Sequence, residues 1–498
     1  MRKIICSLLL FCASVAQAQT FPVNNLLVNG TATFVGQAAF QVSPTGPTPN
    51  PADNSTKLAT TAFVTNGFIP LPTLAGLAPI ASPVFTGVPA APTAAIGTNS
   101  TQLATTSFIA QHSPCPSIMD HGGINTGTGD NTSAFNATIA VNSQAGCVFF
   151  PAGTYSFAGQ IGETLPSSTA SLMILGAGVG ATTLQWSAGG GGIAVVMPGG
   201  RGNSIHFRDF SMLTGVAGGG TAISLGNTTN GSQTQPTENS DITNVSIHGL
   251  DGYGLTDYWT TGININAWSA VNLVGIQVYG AVGGGDLLGY CGSGTGVIVQ
   301  GGTGTISTPP IGVIYNIQSS QFNCLNVGVA NGNNSQGVTI SQSNFTAAKN
   351  CITTLGVSGL TQETIIGNQF NCSDSAYVDN VGLADLAIIG NTILVPNQSQ
   401  THSNSGISLL GVFSAQITGN SFYSFSNSTN GSIGVVVGLT EGSSMGAVIS
   451  GNTFMHFVTA VALNPNSTFN NVQGNLYSNN TNTVVNGGTN NSVGVATQ

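Results

Sequence analysis

Apolar and polar positions recur in a fixed order through the second half of the chain. An aliphatic residue is followed by two small or polar residues, an Asn, a polar residue and an aromatic or aliphatic one. The phrase reads Ile340-Ser-Gln-Ser-Asn344-Phe345, Ile365-Ile-Gly-Asn368-Gln-Phe370, Ile388-Ile-Gly-Asn391-Thr-Ile393, Ile417-Thr-Gly-Asn420-Ser-Phe422, Ile449-Ser-Gly-Asn452-Thr-Phe454 and Val472-Gln-Gly-Asn475-Leu-Tyr477. The leading aliphatic residues are 25, 23, 29, 32 and 23 positions apart, so one unit repeats with insertions, as in a solenoid. One copy is too short to bury its own apolar face, whereas stacked copies bury it continuously. Inward Ile and Phe then form aliphatic and aromatic stacks. A corner Asn pairs its amide with the coils above and below, and the preceding Gly supplies positive φ. The pattern predicts an all-β chain wound as a right-handed, single-stranded parallel β-helix.

Composition narrows the chemistry. Charged residues are only 4% of the chain, Gly numbers 69, and 15 acidic side chains face 6 Lys plus Arg. So few cations leave little capacity for phosphate, and nucleic acid is not expected as a partner. The first residues have the form of an export signal, with Arg2 and Lys3 before the apolar run Ile4 to Ala16 and Ala16-Gln17-Ala18 before a cut at Gln19. A secreted location follows, periplasmic, extracellular or cell-surface, with no membrane span once residues 1–18 are removed. Six of the eight cysteines remain, an even number in a compartment where disulfides persist. Cys115 and Cys147 flank a short predicted helix and are expected to pair. Coil spacing also permits bridges among Cys291, Cys324, Cys351 and Cys372, whose pairing stays open. No CxxC or His-rich cluster is present, so no metal or other cofactor is expected.

Residues 19–112 carry a different repeat, of period 45. Phe40-Gln-Val-Ser-Pro44 leads to Asn54-Ser-Thr-Lys-Leu58-Ala-Thr-Thr-Ala-Phe63, and Phe85-Thr-Gly-Val-Pro89 leads to Asn99-Ser-Thr-Gln-Leu103-Ala-Thr-Thr-Ser-Phe108. These phrases resemble the stalk repeats of bacteriophage tail fibres, which implies a homotrimer. Segments with so few large apolar side chains do not offset their own chain entropy alone, which agrees. A flexible Pro/Thr/Ala linker is the alternative.

The main domain spans 113–498. Met119-Asp120-His121-Gly, Gly129-Asp130-Asn131-Thr132, and Phe149-Phe-Pro151-Ala-Gly153-Thr-Tyr155 resemble the start of the pectate-lyase-like superfamily, with its rhamnogalacturonase, epimerase and tailspike relatives. His121 in place of an aromatic and a Gly-rich run without Lys depart from that pattern. Asn131 or Thr132 is expected to cap a helix reaching about Val141 that plugs the first coil, with Asp120 and Asp130 structural. Leu175-Gly176-Ala-Gly178-Val-Gly180 reads as a turn between strands, since no basic residue or strand-to-helix unit accompanies it.

The resemblance implies enzymes or binders of polysaccharide. Uronate lyases of this fold need a basic residue and an Asp-bound calcium, and galacturonan hydrolases carry N-x-D, D-D, G-H-G and R-I-K motifs; neither set is present. Hydrolysis by a separated carboxylate pair stays open. The candidate region is 238–290, a long departure from coil rhythm. Its candidate acids are Asp251, Asp257 and Asp286, and its candidate sugar-stacking rings are Tyr253, Tyr258, Trp259 and Trp268; the region also holds Glu238, Asp241, His248, Tyr279 and Tyr290. Loop packing is the other explanation of these rings. Asp374, Asp379 and Asp385 read as a solvated turn. Two functions remain: a secreted or surface β-helix protein that binds polysaccharide, with cleavage left open, or a non-catalytic structural fibre or adhesin derived from a phage tail-fibre-like gene.

Overall fold

The computed structural model describes residues 29–31, 33, 47, 50, 91–92 and 115–494, except 141–144, 166–169, 198–202, 228–238, 282–291, 302–311, 333–334, 355–361, 380–384, 396–404, 426–430 and 439–443. The chain divides into two compact units, Met1–Pro92 and Thr93–Gln498. The expected export signal and nearly all of the 45-residue repeats lie outside the described residues.

From Ala145 onward the second unit is strand after strand, each paired in parallel with the equivalent strand one coil away. This is a right-handed parallel β-helix with three walls. Wall 1 includes Thr221–Asn227, Thr261–Asn266, Thr295–Gln300 and Val327–Asn331. Wall 2 includes Val271–Val274, Gly312–Gln318, Ser335–Ser341 and Gln362–Ile366. Wall 3 includes Gln277–Tyr279, Gln321–Asn323, Thr392–Val395, Ser421–Ser424 and Thr453–Met455. Asn344–Thr354 and Gln369–Asp379 run from wall 3 into wall 1, their mutual register shifting near Ala348.

Strand alternation fills the interior. Ile340, Ile365, Ile388, Ile417 and Ile449 are buried in one column. Phe322, Phe345 and Phe370 stack at 4.9 and 5.0 Å between ring centres, and Phe422 and Phe454 at 4.6 Å. The corner between walls 2 and 3 holds the amide ladder. Asn368, Asn391, Asn420 and Asn452 each donate a side-chain hydrogen bond to the next Asn, at 3.1, 2.9, 3.0 and 3.0 Å, ending on Asn475. The glycine before each adopts positive φ, 68° at Gly367 and 69° at Gly419. Asn344 is not a rung: it pairs with Gln369 on the outer face, and Ser343 takes the corner position, its backbone N–H donating to Asn368 Oδ1 at 2.9 Å. That first phrase has the same length as the others, but Ser343 stands where they have Asn, and its Asn, one position later, points to the opposite face.

Helix α1 (Thr132–Ala140) covers the first coil, with Phe135 stacked on Phe150 at 6.4 Å. Its start is held by Asp130, whose carboxylate accepts from Thr132 N and Oγ1 at 3.1 and 2.6 Å and from Ala158 N at 3.1 Å. The expected cap at Asn131 or Thr132 is corrected: Asn131 instead ties the preceding segment to the coil, through Ile124 and Ser156. Cys115 is bonded to Cys147 and Cys351 to Cys372, with Cα atoms 5.1 and 5.9 Å apart. Cys324 is also disulfide-bonded. No helix of the described residues is long and apolar enough to cross a membrane.

Candidate functional site

The departure from coil rhythm after the strand Ser240–Gly249 projects the turn 250–258 from the end of wall 3. Asp251 organises it. Its carboxylate accepts from Thr256 N at 2.8 Å, Thr256 Oγ1 at 2.6 Å and Asp257 N at 3.2 Å, closing a side-chain-capped turn. The turn carries Tyr253, whose side chain is 57% exposed. One side of that ring meets the buried His248 at 4.2 Å between centres, and its edge meets Tyr279 of the next coil at 4.7 Å. Leu250 and Leu255 are exposed on the same turn. The three rings make an angled platform with apolar faces and polar edges, Tyr253 lying at 33° to His248 and 68° to Tyr279.

Electrostatics divide the two acids. Burial raises Asp251, but the hydrogen bonds from Thr256 and Asp257 outweigh it and hold the carboxyl below its usual range. Asp257 is raised, by burial and by the charge of Asp251. Burial pushes His248 down and Tyr279 up, favouring the neutral form of both rings. The platform is uncharged beside two carboxyl groups.

Sequence reasoning placed four rings here, and the structure separates them. Tyr253 is exposed. Tyr258 is half-buried, its backbone bound to Val216 and Gly219, and lies outside the ring triad. Trp259 and Trp268 are corrected: both are core residues, at 2% and 0% exposure, and neither can present a face to a sugar. Trp259 packs edge-on against Trp186 at 5.6 Å, and Trp268 Nε1 donates to Ser240 Oγ at 3.1 Å. Asp286 lies outside the described residues. Tyr279, also among the aromatics of the 238–290 region, completes the platform from the next coil.

Two further charged groups occupy wall 2. On its outer face Asp241 accepts from Arg208 Nε and Nη2 at 2.8 and 2.9 Å and meets His206 Nδ1 at 2.5 Å. Burial raises Asp241, yet the bonds from His206 and Arg208 prevail and hold it well below the usual carboxylate range. Inside the solenoid, Glu363 is 2% exposed and accepts from Tyr377 Oη at 2.9 Å. Burial pushes its carboxyl up to about 7. Asp379 is fully buried and accepts from Thr354 Oγ1 at 2.9 Å, which corrects its reading as part of a solvated turn. A shallow depression of about 320 Å³ on wall 2, bordered by Gln362, Asp385, Ser414 and Gln416, holds no aromatic side chain. No group of three or more metal-ligating side chains exists among the described residues.

No protein-family model and no curated protein matches the sequence. Solved structures match the coordinates. The A-module of mannuronan C-5 epimerase AlgE6 from Azotobacter vinelandii is 16% identical, with a TM-score of 0.42 over 77% of this chain and 99% of that one. The catalytic unit of a GH87 alpha-1,3-glucanase from Streptomyces thermodiastaticus gives 15% identity and 0.46, over 77% and 70% of the two chains. Dettilon tailspike protein gives 14% and 0.44, over 76% and 71%. The likeness is one of fold.

Proposed function

We propose that this solenoid is an exported polysaccharide-binding protein that seats a sugar ring on Tyr253. The observation that carries the reading is the exposed Tyr253 ring held between His248 and Tyr279. Such a face stacks on a pyranose ring, while nearby carboxyl groups accept hydroxyl hydrogen bonds. The disulfides support a place outside the reducing cytoplasm. Binding fits this site better than cleavage, because the carboxylate of Asp251 is already committed to three donors of its own turn.

Affinity electrophoresis against a panel of neutral and acidic polysaccharides tests the reading. Wild-type protein should be retarded by at least one, and Tyr253→Ala should weaken that retardation by about tenfold through lost stacking. Equal retardation of the variant would place the glycan elsewhere. New reducing ends that disappear in Asp257→Asn would turn the binder into a glycosidase, with the raised Asp257 as proton donor.

A further inference from the structure

Tyr279 heads a row. Its register partners on the outer face of wall 3 are Asn323, Thr346, Asn371, Leu394 and then Tyr423. A second row, two residues earlier on each strand, runs Gln277, Gln321, Asn344, Gln369, Thr392 and Ser421. No position in either row carries a charge. At Tyr423 a second ring cluster stands out from the wall: Tyr423 meets Phe425 at 5.3 Å and His456 at 5.4 Å, and Phe425 is 59% exposed. Five coil steps separate Tyr279 from Tyr423, about 24 Å at the spacing of hydrogen-bonded strands.

We infer that wall 3 is one continuous track for an uncharged polysaccharide lying along the solenoid axis, anchored on Tyr253 and Tyr279 at one end and on Tyr423 and Phe425 at the other. The inference rests on the binding reading above and extends it to the rest of the wall. Amides and hydroxyls of the two rows both donate and accept, which matches sugar hydroxyls without requiring a charged ligand. Leu394 offers an apolar contact one coil before Tyr423. The charges nearby argue against an anionic glycan. Asp251 and Asp257 flank the first anchor, and the two basic side chains among the described residues, Arg208 and Lys349, are each paired, with Asp241 and Asp374. A repeating sugar laid parallel to the axis would meet a repeating set of side chains, one coil after another.

Calorimetric titration with cello- and chito-oligosaccharides from dimer to octamer, and with an alginate octamer as anionic comparison, tests the track. Wild-type affinity for a neutral series should rise by about tenfold or more from trimer to octamer. The double variant Tyr423→Ala, Phe425→Ala should lose that rise and keep wild-type trimer binding, whereas Tyr253→Ala should lose the trimer. Length-independent binding that still depends on Tyr253 would overturn the track and leave the binding reading standing. Preference for the alginate octamer would overturn the uncharged ligand, and absence of binding to every neutral oligomer would overturn the track as stated.

Discussion

The early and late coils turn the same corner with different side chains. Asp209, Asn244, Gly275, Ser319, Gln342 and Gly367 stand at one register position between walls 2 and 3, with φ of 65°, 53°, 63°, 52°, 50° and 68°. The residue that follows each turns inward. It is Phe210, Val245 and Ile276 in the early coils, Ser320 and Ser343 in the middle, and the Asn ladder from Asn368 onward. The backbone corner is therefore constant, while its filling changes from apolar contact to hydroxyl to amide. Ser320 and Ser343 act as adaptors: Ile276 N donates to Ser320 Oγ, Ser320 N to Ser343 Oγ, and Ser343 N to Asn368 Oδ1. The edge acceptor of the ladder, Asn368 Oδ1, is thus met by a backbone N–H, and the two serine hydroxyls carry the same corner bond back to Ile276.

Breaking the ladder should have the largest effect. Asn420→Ala removes the acceptor used by Asn391 N and Nδ2 and the donor to Asn452, at the centre of a buried chain. A loss of about 3 kcal/mol in denaturant unfolding is expected, since buried polar partners are left unpaired. The opposite exchange, Val245→Asn, places an amide where no rung exists above or below and should cost about 2 kcal/mol. If Val245→Asn is neutral, the filling of the corner is interchangeable and the comparison loses its meaning.

A smaller effect separates the carboxylates of wall 2 by pH. Glu363, in the first coil of the ladder, is raised from 4.5 to about 7 by burial, so the folded state holds its proton more tightly than the unfolded state. Its contribution is fully present below about pH 4.5 and is lost as pH rises toward about 7. Asp241, in an early coil, is shifted the other way by His206 and Arg208, so its contribution is present above 3.8 and lost in stronger acid. Thermal midpoints measured between pH 4 and pH 8 should fall as pH rises in the wild type, by on the order of 2 kcal/mol of stability, and fall less in Glu363→Gln. An unchanged slope in the variant would show that Glu363 does not titrate in this range.

The coils were legible in the sequence because Ile, Gly, Asn and Phe repeat in phase with the corner. The filling of early corners was not, since Phe210 or Val245 in a strand resembles any other buried residue. The site was half legible. A turn rich in Asp and Tyr signals a departure from coil rhythm, yet composition does not say which ring turns inward, and Trp259 and Trp268 went to the core. Asp379 was misread because a carboxylate in a Ser- and Asn-rich segment looks solvated, whereas strand alternation from the buried Tyr377 points it inward.

Arg208 and Lys349 are the only basic side chains among the described residues, and both lie inside long strands, Ser204–Thr214 and Asn344–Thr354, paired to coils above and below. A digestive protease that cuts after Lys or Arg needs several residues of free, extended backbone at the bond it cleaves. In these coils it meets that backbone only after a strand has left both neighbours, an opening that draws on the cooperative stability of the stack. Cleavage by trypsin at these two residues thus becomes a reporter of unwinding.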